Sequence, residues 1–140
     1  MINIRPGIVA DRSFILGSWM KTYAANNRDQ PRWALRWQDK MVKDILEMAD
    51  VLVACPEGDN DTIVGWMCHV GPVVQFCYVK KPFRGFGVGK QLFTASGLQE
   101  PYLVAYKPPG IKRETIYVPQ FQYAGILREM MNEDYSSMSK

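Results

Sequence analysis

A glycine-rich loop near the middle of the chain has the residue types and spacing that could do chemistry. Gly85, Gly87 and Gly89 alternate with other residues, between an apolar strand-like run that ends at Val79 and a helical pattern. Glycines in such a loop let the backbone approach a ligand closely and turn successive N–H groups toward one hollow. The helix adds roughly half a positive charge at its N-terminus. The loop therefore predicts a phosphate site.

Two charged residues at the ends of the loop support this interpretation. Arg84 precedes the first glycine and Lys90 follows the last one, so both can place full charges at the rim of the hollow. Each charge-assisted hydrogen bond contributes on the order of 1.5–3 kcal/mol. Several such bonds could hold a diphosphate despite the loss of its hydration.

Two familiar phosphate motifs do not fit this loop. A Walker A loop needs G-x-x-x-x-G-K-[ST], but Arg84 stands at its first glycine position and Gln91 replaces the hydroxyl residue that binds magnesium. A dinucleotide fingerprint needs G-x-G-x-x-G, whereas the glycines here recur at every second position. Neither nucleotide hydrolysis nor dinucleotide binding is therefore expected.

The remaining pattern, Arg84-x-x-Gly87-x-Gly89, resembles the [Q/R]-x-x-G-x-[G/A] signature of the GNAT superfamily of N-acetyltransferases. The resemblance implies that acetyl-CoA donates an acetyl group directly to an amine in a ternary complex. It also implies that loop amides bind the pyrophosphate and that the preceding strand, bulged and splayed from the fifth, binds the pantetheine arm. The coenzyme residues implied are Tyr78, Val79, Arg84, Gly85, Phe86, Gly87, Val88, Gly89 and Lys90.

The resemblance extends over roughly residues 2–106. Ile4-Arg5-Pro6 and Asp11 are similar to the family's first strand and helix, and Ile63-Val64-Gly65-Trp66 is similar to its third strand. The first helix and residues 79–84 also resemble GNAT-like proteins of bacteriophages. These similarities imply a cytoplasmic protein, located in the host cytoplasm if a phage encodes it.

The hydrophobic patterns predict one α/β domain over residues 1–140, with a GNAT-like, mixed and mostly antiparallel sheet flanked by helices. Strands are predicted over 2–5, 51–55, 62–70, 73–79, 102–106 and 115–118, and helical segments after Asp11, over 41–49, over 92–98 and over 124–131. Residues 26–38 have no regular pattern. The C-terminal half is predicted to be shortened or divergent, and residues 135–140 to form a flexible tail.

The sequence departs from the family pattern at the positions of the catalytic groups. Many relatives use a Glu on the fourth strand as base, but Val73–Val79 contains no carboxylate, and Gln75 cannot take a proton. His69 is the candidate base, because its pKa range suits proton transfer, and Tyr117 is the candidate acid. Tyr123 is a further downstream tyrosine. Each of them also fits an ordinary packing or surface role, so an inactive GNAT-fold binding or structural component, associated with a phage, is the alternative.

Another unusual segment interleaves arginine with tryptophan. It contains Arg28, Arg32, Trp33, Arg36 and Trp37. Three interpretations stay open: a lip of the acceptor pocket that favours acidic or aromatic substrates, a contact with single-stranded nucleic acid, or a loop whose tryptophans pack into the core. Seventeen Lys+Arg against fourteen Asp+Glu leave a net charge of +3, which does not by itself indicate nucleic acid. Nucleic acid is therefore not the expected partner.

The remaining composition excludes other classes of site. Cys55, Cys68 and Cys77 have no C-x-x-C spacing and are expected to be buried reduced thiols, and with a single histidine no metal site is expected. No apolar run approaches the roughly 20 residues of a membrane span, so no membrane association is expected. A homodimer is compatible with the sequence. The acceptor stays open among a lysine, a protein N-terminus, a polyamine, an aminoglycoside and a modified base.

Overall fold

The computed structural model describes residues 1–26, 28–29, 31–106 and 115–118. Within these residues, six strands lie side by side in chain order in one sheet. The strands are β1 (Ile2–Pro6), β2 (Asp50–Pro56), β3 (Gly65–Val70), β4 (Val73–Val79), β5 (Tyr102–Val104) and β6 (Thr115–Tyr117). The helices are α1 (Arg12–Asn26), α2 (Arg32–Met48) and α3 (Val88–Ala95), and short 3-10 turns occupy Val9–Asp11 and Lys81–Phe83.

The sheet is antiparallel in its first part and parallel at its far edge. β1 to β4 pair antiparallel with their neighbours, whereas β5 pairs parallel with β4 and β6 parallel with β5. Parallel neighbours need a crossover connection, and α3 forms it between β4 and β5. The predicted α/β class, with a mixed and mostly antiparallel sheet flanked by helices, is confirmed.

Each face of the sheet buries its own cluster of apolar side chains. On one face, α1 and α2 pack on the strands, with Trp19, Val42 and Trp66 fully buried among them. On the other face, Leu92 and Phe93 of α3 lie against the alternate side chains of the same strands. This separation follows from the two-residue period of a strand, which sends successive side chains to opposite faces.

An irregularity in β4 prepares the site described below. Cys68 lies opposite Phe76 and His69 lies opposite Val74, so Gln75 is an extra residue that bulges from β4. The ladder with β5 is short: it pairs only Val73 and Val74 with β5. β4 therefore continues toward Val79 beyond the end of its ladder with β5.

The prediction that residues 26–38 are irregular was wrong. α1 reaches Asn26 and α2 begins at Arg32, with Pro31 in extended conformation as its N-cap. A proline at this place starts a helix rather than breaking one, because it has no N–H to leave unsatisfied in the first turn. Ala34 and Gln38 are buried and extend the inward face of α2 by about two more turns.

Smaller differences concern element ends. β3 begins at Gly65 rather than at residue 62, and β5 ends at Val104 rather than at residue 106. Asp11 precedes α1 in a 3-10 turn, and its carboxylate binds backward to the N–H of Ile8 at 2.8 Å. The predicted helix over 124–131, the tail at 135–140 and Tyr123 lie outside the described residues. Residues 107–114 and 119–140 of the C-terminal half, for which divergence was predicted, also lie outside them.

The cysteines match their predicted environment in part. Cys55 and Cys68 are buried free thiols, whereas Cys77 is half-buried. Burial raises the pKa of the Cys68 thiol. In the described part of the chain, no three His, Cys, Asp or Glu side chains are grouped so as to hold a metal ion. The same residues include no helix long and apolar enough to cross a membrane.

An ion pair ties β1 to the start of α1. The Arg5 guanidinium donates two hydrogen bonds to the Asp11 carboxylate, at 2.8 and 2.9 Å. It also donates to the carbonyl of Asn60 at 3.0 Å, so it joins the loop after β2 as well. The bonds from Arg5 hold the pKa of Asp11 below its usual range, although burial acts in the opposite direction.

We expect Asp11→Asn to lower the free energy of unfolding by about 2 kcal/mol at pH 7, because charged hydrogen bonds are lost. Since the native pKa of Asp11 is lowered, its carboxylate stabilises the fold above the unfolded-state pKa of about 4. That stabilisation disappears as the pH falls toward the native pKa. Urea unfolding at several pH values should show the difference shrink below about pH 4. The exposed Asp29→Asn is the control, and a difference that persists at low pH would contradict the assignment.

Candidate functional site

The loop after β4 leaves the sheet through a short series of backbone hydrogen bonds. The N–H of Lys80 donates to the carbonyl of Val64 at 2.8 Å, which holds the end of β4 beside the start of β3. The 3-10 turn then closes with the N–H of Phe83 on the carbonyl of Lys80 at 2.9 Å. The chain is thereby redirected toward α3 within a few residues.

The backbone conformation favours glycine at two of the three loop positions. Gly85 has a φ of +87° and Gly87 a φ of +80°, which L side chains rarely adopt. Gly87 is also the left-handed N-cap of α3. Gly89 lies within α3 at an ordinary φ, and a Cβ there would meet Val79 Cγ2 at 4.0 Å, an ordinary contact. The structure therefore requires glycine at positions 85 and 87 but tolerates alanine at position 89.

Consecutive backbone N–H groups at the start of α3 are available to a ligand. The first helical hydrogen bond of the segment runs from the N–H of Gln91 to the carbonyl of Gly87 at 3.0 Å. The N–H groups from Gly85 to Lys90 donate to no residue that the structure describes. Such groups at a helix N-terminus, together with the helix dipole, form a site for an anion.

Arg84 has a structural role in the loop besides its charge. Its Nε–H donates to the carbonyl of Val79 at 2.8 Å, so the side chain folds back over the turn and holds it closed. This bond uses one of the five guanidinium donors. The residue is exposed, and its other donors form no hydrogen bond with the described residues. They remain available at the rim of the loop.

Several cations lie in or next to the loop. Lys90 is exposed at the first turn of α3, and Lys81 is exposed in the 3-10 turn. Lys80 is half-buried, with its Nζ 5.0 Å from the centre of the Phe14 ring. The sequence contains no Asp or Glu from residue 62 to residue 99. The motif alone had suggested Arg84 and Lys90, and the fold adds Lys80 and Lys81.

A close approach at Gly65 brings β3, β4 and α3 together. A Cβ built on Gly65 would lie 2.9 Å from the carbonyl oxygen of Tyr78 and 3.1 Å from Val88 Cγ1. Val88, the first residue of α3, is itself 2% exposed and packs into the core of that face. Because Gly65 has no side chain, the start of α3 can lie directly against the end of β4. The sequence interpretation missed this role of Gly65.

The two residues predicted at the end of β4 lie on opposite faces of the sheet. Tyr78 belongs to the face covered by α1, where Phe14 meets it edge-on at 6.2 Å between ring centres. Val79 belongs to the face covered by α3. On the α1 side, Trp19 also stacks on Phe76 at 5.2 Å. The strand can therefore offer both faces and its backbone to a ligand.

The predicted base and acid lie away from the loop. His69 is half-buried at the β3 end near the turn to β4, and its Nδ1 lies 2.9 Å from the carbonyl of Gly71. His69 lies opposite Val74, which lies opposite Val104. Val104 in turn lies opposite the half-exposed Tyr117, so His69 and Tyr117 lie in one row across the sheet. Three strand spacings separate the two backbones, about 14 Å. This row lies roughly 15 Å along β4 from its C-terminal end, where the loop begins.

Comparison with solved structures identifies the fold. The solution structure of apo-form YjaB from Escherichia coli is 23% identical, has a TM-score of 0.53, and the match covers 69% of this chain and 64% of that chain. A possible acetyltransferase from Clostridium difficile 630 is 18% identical with a TM-score of 0.50, and the match covers 79% of this chain and 83% of that one. A GCN5-related N-acetyltransferase from Rhodopseudomonas palustris is 19% identical with a TM-score of 0.48, and the match covers 68% of this chain and 62% of that one.

The chain spans less than two thirds of the length of the YjaB and Rhodopseudomonas proteins. No protein-family model and no curated protein matches the sequence. The bulged β4, its short ladder with β5 and the structural likenesses agree with the fold expected from the resemblance. The chain has the fold of the GNAT superfamily.

We expect Gly65→Ala to lower the free energy of unfolding by about 2 kcal/mol, because the added Cβ meets backbone that cannot move freely. Gly17→Ala is the control. Nothing lies within 4 Å of its added Cβ in α1, so alanine should stabilise the helix by about 0.5–1 kcal/mol. Urea denaturation of both variants measures the difference, and equal stabilities would contradict the close approach at Gly65.

Proposed function

We propose that residues 1–140 form one acyl-CoA-dependent N-acyltransferase domain, which transfers acetyl from acetyl-CoA directly to an amine. The observation that carries the proposal is the series of available backbone N–H groups from Gly85 to Lys90, at the end of a bulged strand. Any helix leaves its first N–H groups unpaired, but the series here begins at Gly85, before the helix, and two glycines at positive φ shape it. The fold shared with the possible acetyltransferase from Clostridium difficile supports the same assignment.

The loop residues have distinct proposed roles toward the coenzyme. The backbone N–H groups from Gly85 to Lys90, which include those of Phe86, Gly87, Val88 and Gly89, donate to the pyrophosphate. Arg84 and Lys90 supply charge at its rim. Val88 also anchors the helix, because its side chain is buried beneath the loop. Phosphate oxygens accept hydrogen bonds without donating any, which matches a site made only of donors.

The end of β4 has the proposed role of guiding the pantetheine arm. Beyond Val74, β4 runs past the end of its ladder with β5, so the backbone of Tyr78 and Val79 is not paired with β5. The amide groups of pantetheine can pair with strand backbone as another strand would. In this arrangement the thioester lies nearer the bulge at Gln75, and the diphosphate lies at the loop.

The transfer also needs a base and an acid. The amine must lose a proton before it attacks the thioester carbon, and the departing thiolate must gain one. His69 is proposed as base: if its Nδ1–H donates to the carbonyl of Gly71, its Nε2 is the basic nitrogen. Tyr117 is proposed as acid. Because both lie in one row across β4 and β5, water would have to link them to the reacting atoms.

A second candidate function is binding of acetyl-CoA without turnover. It is favoured by the absence of a carboxylate in β4, whose only buried polar side chain is Gln75. A protein of this kind would use the same loop as a ligand-dependent structural component. Binding and turnover therefore need separate measurements.

Isothermal titration with acetyl-CoA tests the loop. We expect saturable binding by the native chain and affinities at least about tenfold weaker for Gly87→Ala and Arg84→Ala. Alanine at positive φ costs about 1–2 kcal/mol, and the lost charged bonds cost a similar amount. Gly89→Ala is the matched control and should bind nearly as the native chain does. No binding by the native chain at millimolar acetyl-CoA would exclude the proposed function.

Release of free CoA thiol with a panel of amines tests turnover. We expect His69→Gln to lose most activity, because a neutral imidazole is the proposed base. Tyr117→Phe should slow the reaction without changing the affinity for acetyl-CoA. Full activity in His69→Gln would remove His69 from the mechanism. Binding without thiol release for any amine would favour the second candidate.

A further inference from the structure

The first turns of α2 carry an exposed surface that the acetyl-CoA site does not use. Trp33 is 72% exposed and Trp37 is 47% exposed. Arg32, Arg36 and Lys40 are exposed as well. We call these five residues the α2 basic–aromatic face.

Helical spacing explains why these side chains point to solvent together. Ala34, Gln38 and Met41 are buried and form the inward side of the same turns. The tryptophans are four residues apart, so their Cβ atoms are about 5–6 Å apart on the helix surface. Of the three interpretations left open by the sequence, the one in which both tryptophans pack into the core does not hold. Two indole rings in water are an unusual arrangement, since large exposed apolar surfaces commonly mark a binding site.

Cations outnumber carboxylates along this part of the chain. Between residues 29 and 43 the sequence has four cations and two carboxylates, Asp29 and Asp39, and Asp39 is paired with Lys43 at 2.8 Å. Asp44 and Glu47 follow in the second half of the helix and limit the positive region to its first half. The partner of the face should therefore be anionic and should also present flat apolar groups.

We propose that the α2 basic–aromatic face binds single-stranded nucleic acid. Bases stack on Trp33 and Trp37, and the flanking phosphates pair with Arg32, Arg36 and Lys40. A single strand offers π-faces and phosphates at alternating short intervals, which matches tryptophans interleaved with cations. The proposal goes beyond acetyl transfer and does not depend on it.

Other anionic partners fit the face less well. An acidic peptide would satisfy the cations but has no flat rings to cover the indoles. A membrane-surface helix inserts a broad apolar side into the lipid, but the apolar side of α2 is already buried against the sheet. A duplex hides its base faces within the stack. Base stacking together with phosphate pairing is the chemistry that uses both kinds of side chain.

Fluorescence of the full chain provides a selective readout. Of its four tryptophans, Trp19 and Trp66 are 2% and 0% exposed, so quenching by an added ligand reports on Trp33 and Trp37. We expect an oligouridylate of about twelve nucleotides to quench this emission saturably at low salt. The logarithm of the binding constant should fall against the logarithm of salt concentration with a slope near −2, as expected for about three phosphate contacts.

Paired variants separate stacking from charge. Trp33→Ala with Trp37→Ala should weaken binding about tenfold or more by anisotropy of a labelled oligonucleotide, and Phe at both positions should recover part of it. Arg32→Ala with Arg36→Ala should also weaken binding and flatten the salt dependence. Arg12→Ala with Lys21→Ala removes the same charge from exposed positions on α1 and should leave binding nearly unchanged.

Five results would overturn the proposal, and the first four concern the oligonucleotide and its controls. They are no binding by the native chain at low salt, unchanged binding by the double Trp→Ala variant, an equal loss in the α1 control, and equal binding of a poly-glutamate peptide. Quenching by vesicles containing phosphatidylserine, without binding of the oligonucleotide, would assign the face to membranes and overturn it too. Thermal melting of each variant shows whether the fold is intact, as expected for exposed positions.

Discussion

The candidate site depends on the contact between the first residue of α3 and the end of β4. Gly65 permits this contact, because a side chain there would meet the carbonyl of Tyr78 and the side chain of Val88. The burial of Val88 then fixes where the helix starts relative to the sheet. A helix displaced by one side-chain layer would point its N–H groups elsewhere. The direction of these N–H groups is therefore set by a glycine twenty residues before the loop in the sequence.

The loop combines an open backbone with fixed ends. Gly85 and Gly87 have positive φ values, which glycine adopts without steric cost, and the backbone donors of this exposed segment have no partner among the described residues. The fold holds the segment at both ends, through Arg84 on the carbonyl of Val79 and through Val88 in the core. A ligand with phosphate oxygens would supply partners for these donors.

The sequence allowed the loop to be recognised, because glycine spacing and flanking cations are local features that the backbone must follow. It did not allow the start of α2 to be placed, since Pro31 and the mixed Arg and Trp residues obscured a helical pattern that Ala34 and Gln38 continue inward. The close approach at Gly65 could not be predicted either, because it joins residues far apart in the chain. The meeting of β4 with β5 likewise depends on register, which tertiary packing determines.

Where the hydrogen-bonded ladder between β4 and β5 ends, the contact changes from backbone hydrogen bonds to packing of aromatic rings. Beyond the ladder, Phe76 packs against Tyr106 with ring centres 5.2 Å apart. Backbone hydrogen bonds lose strength within a few tenths of an ångström, whereas aromatic pairs stay favourable over centre distances of about 4.5–7 Å. Beyond the ladder, the contact between β4 and the chain that follows β5 therefore tolerates small displacements better than the hydrogen-bonded part of the sheet does.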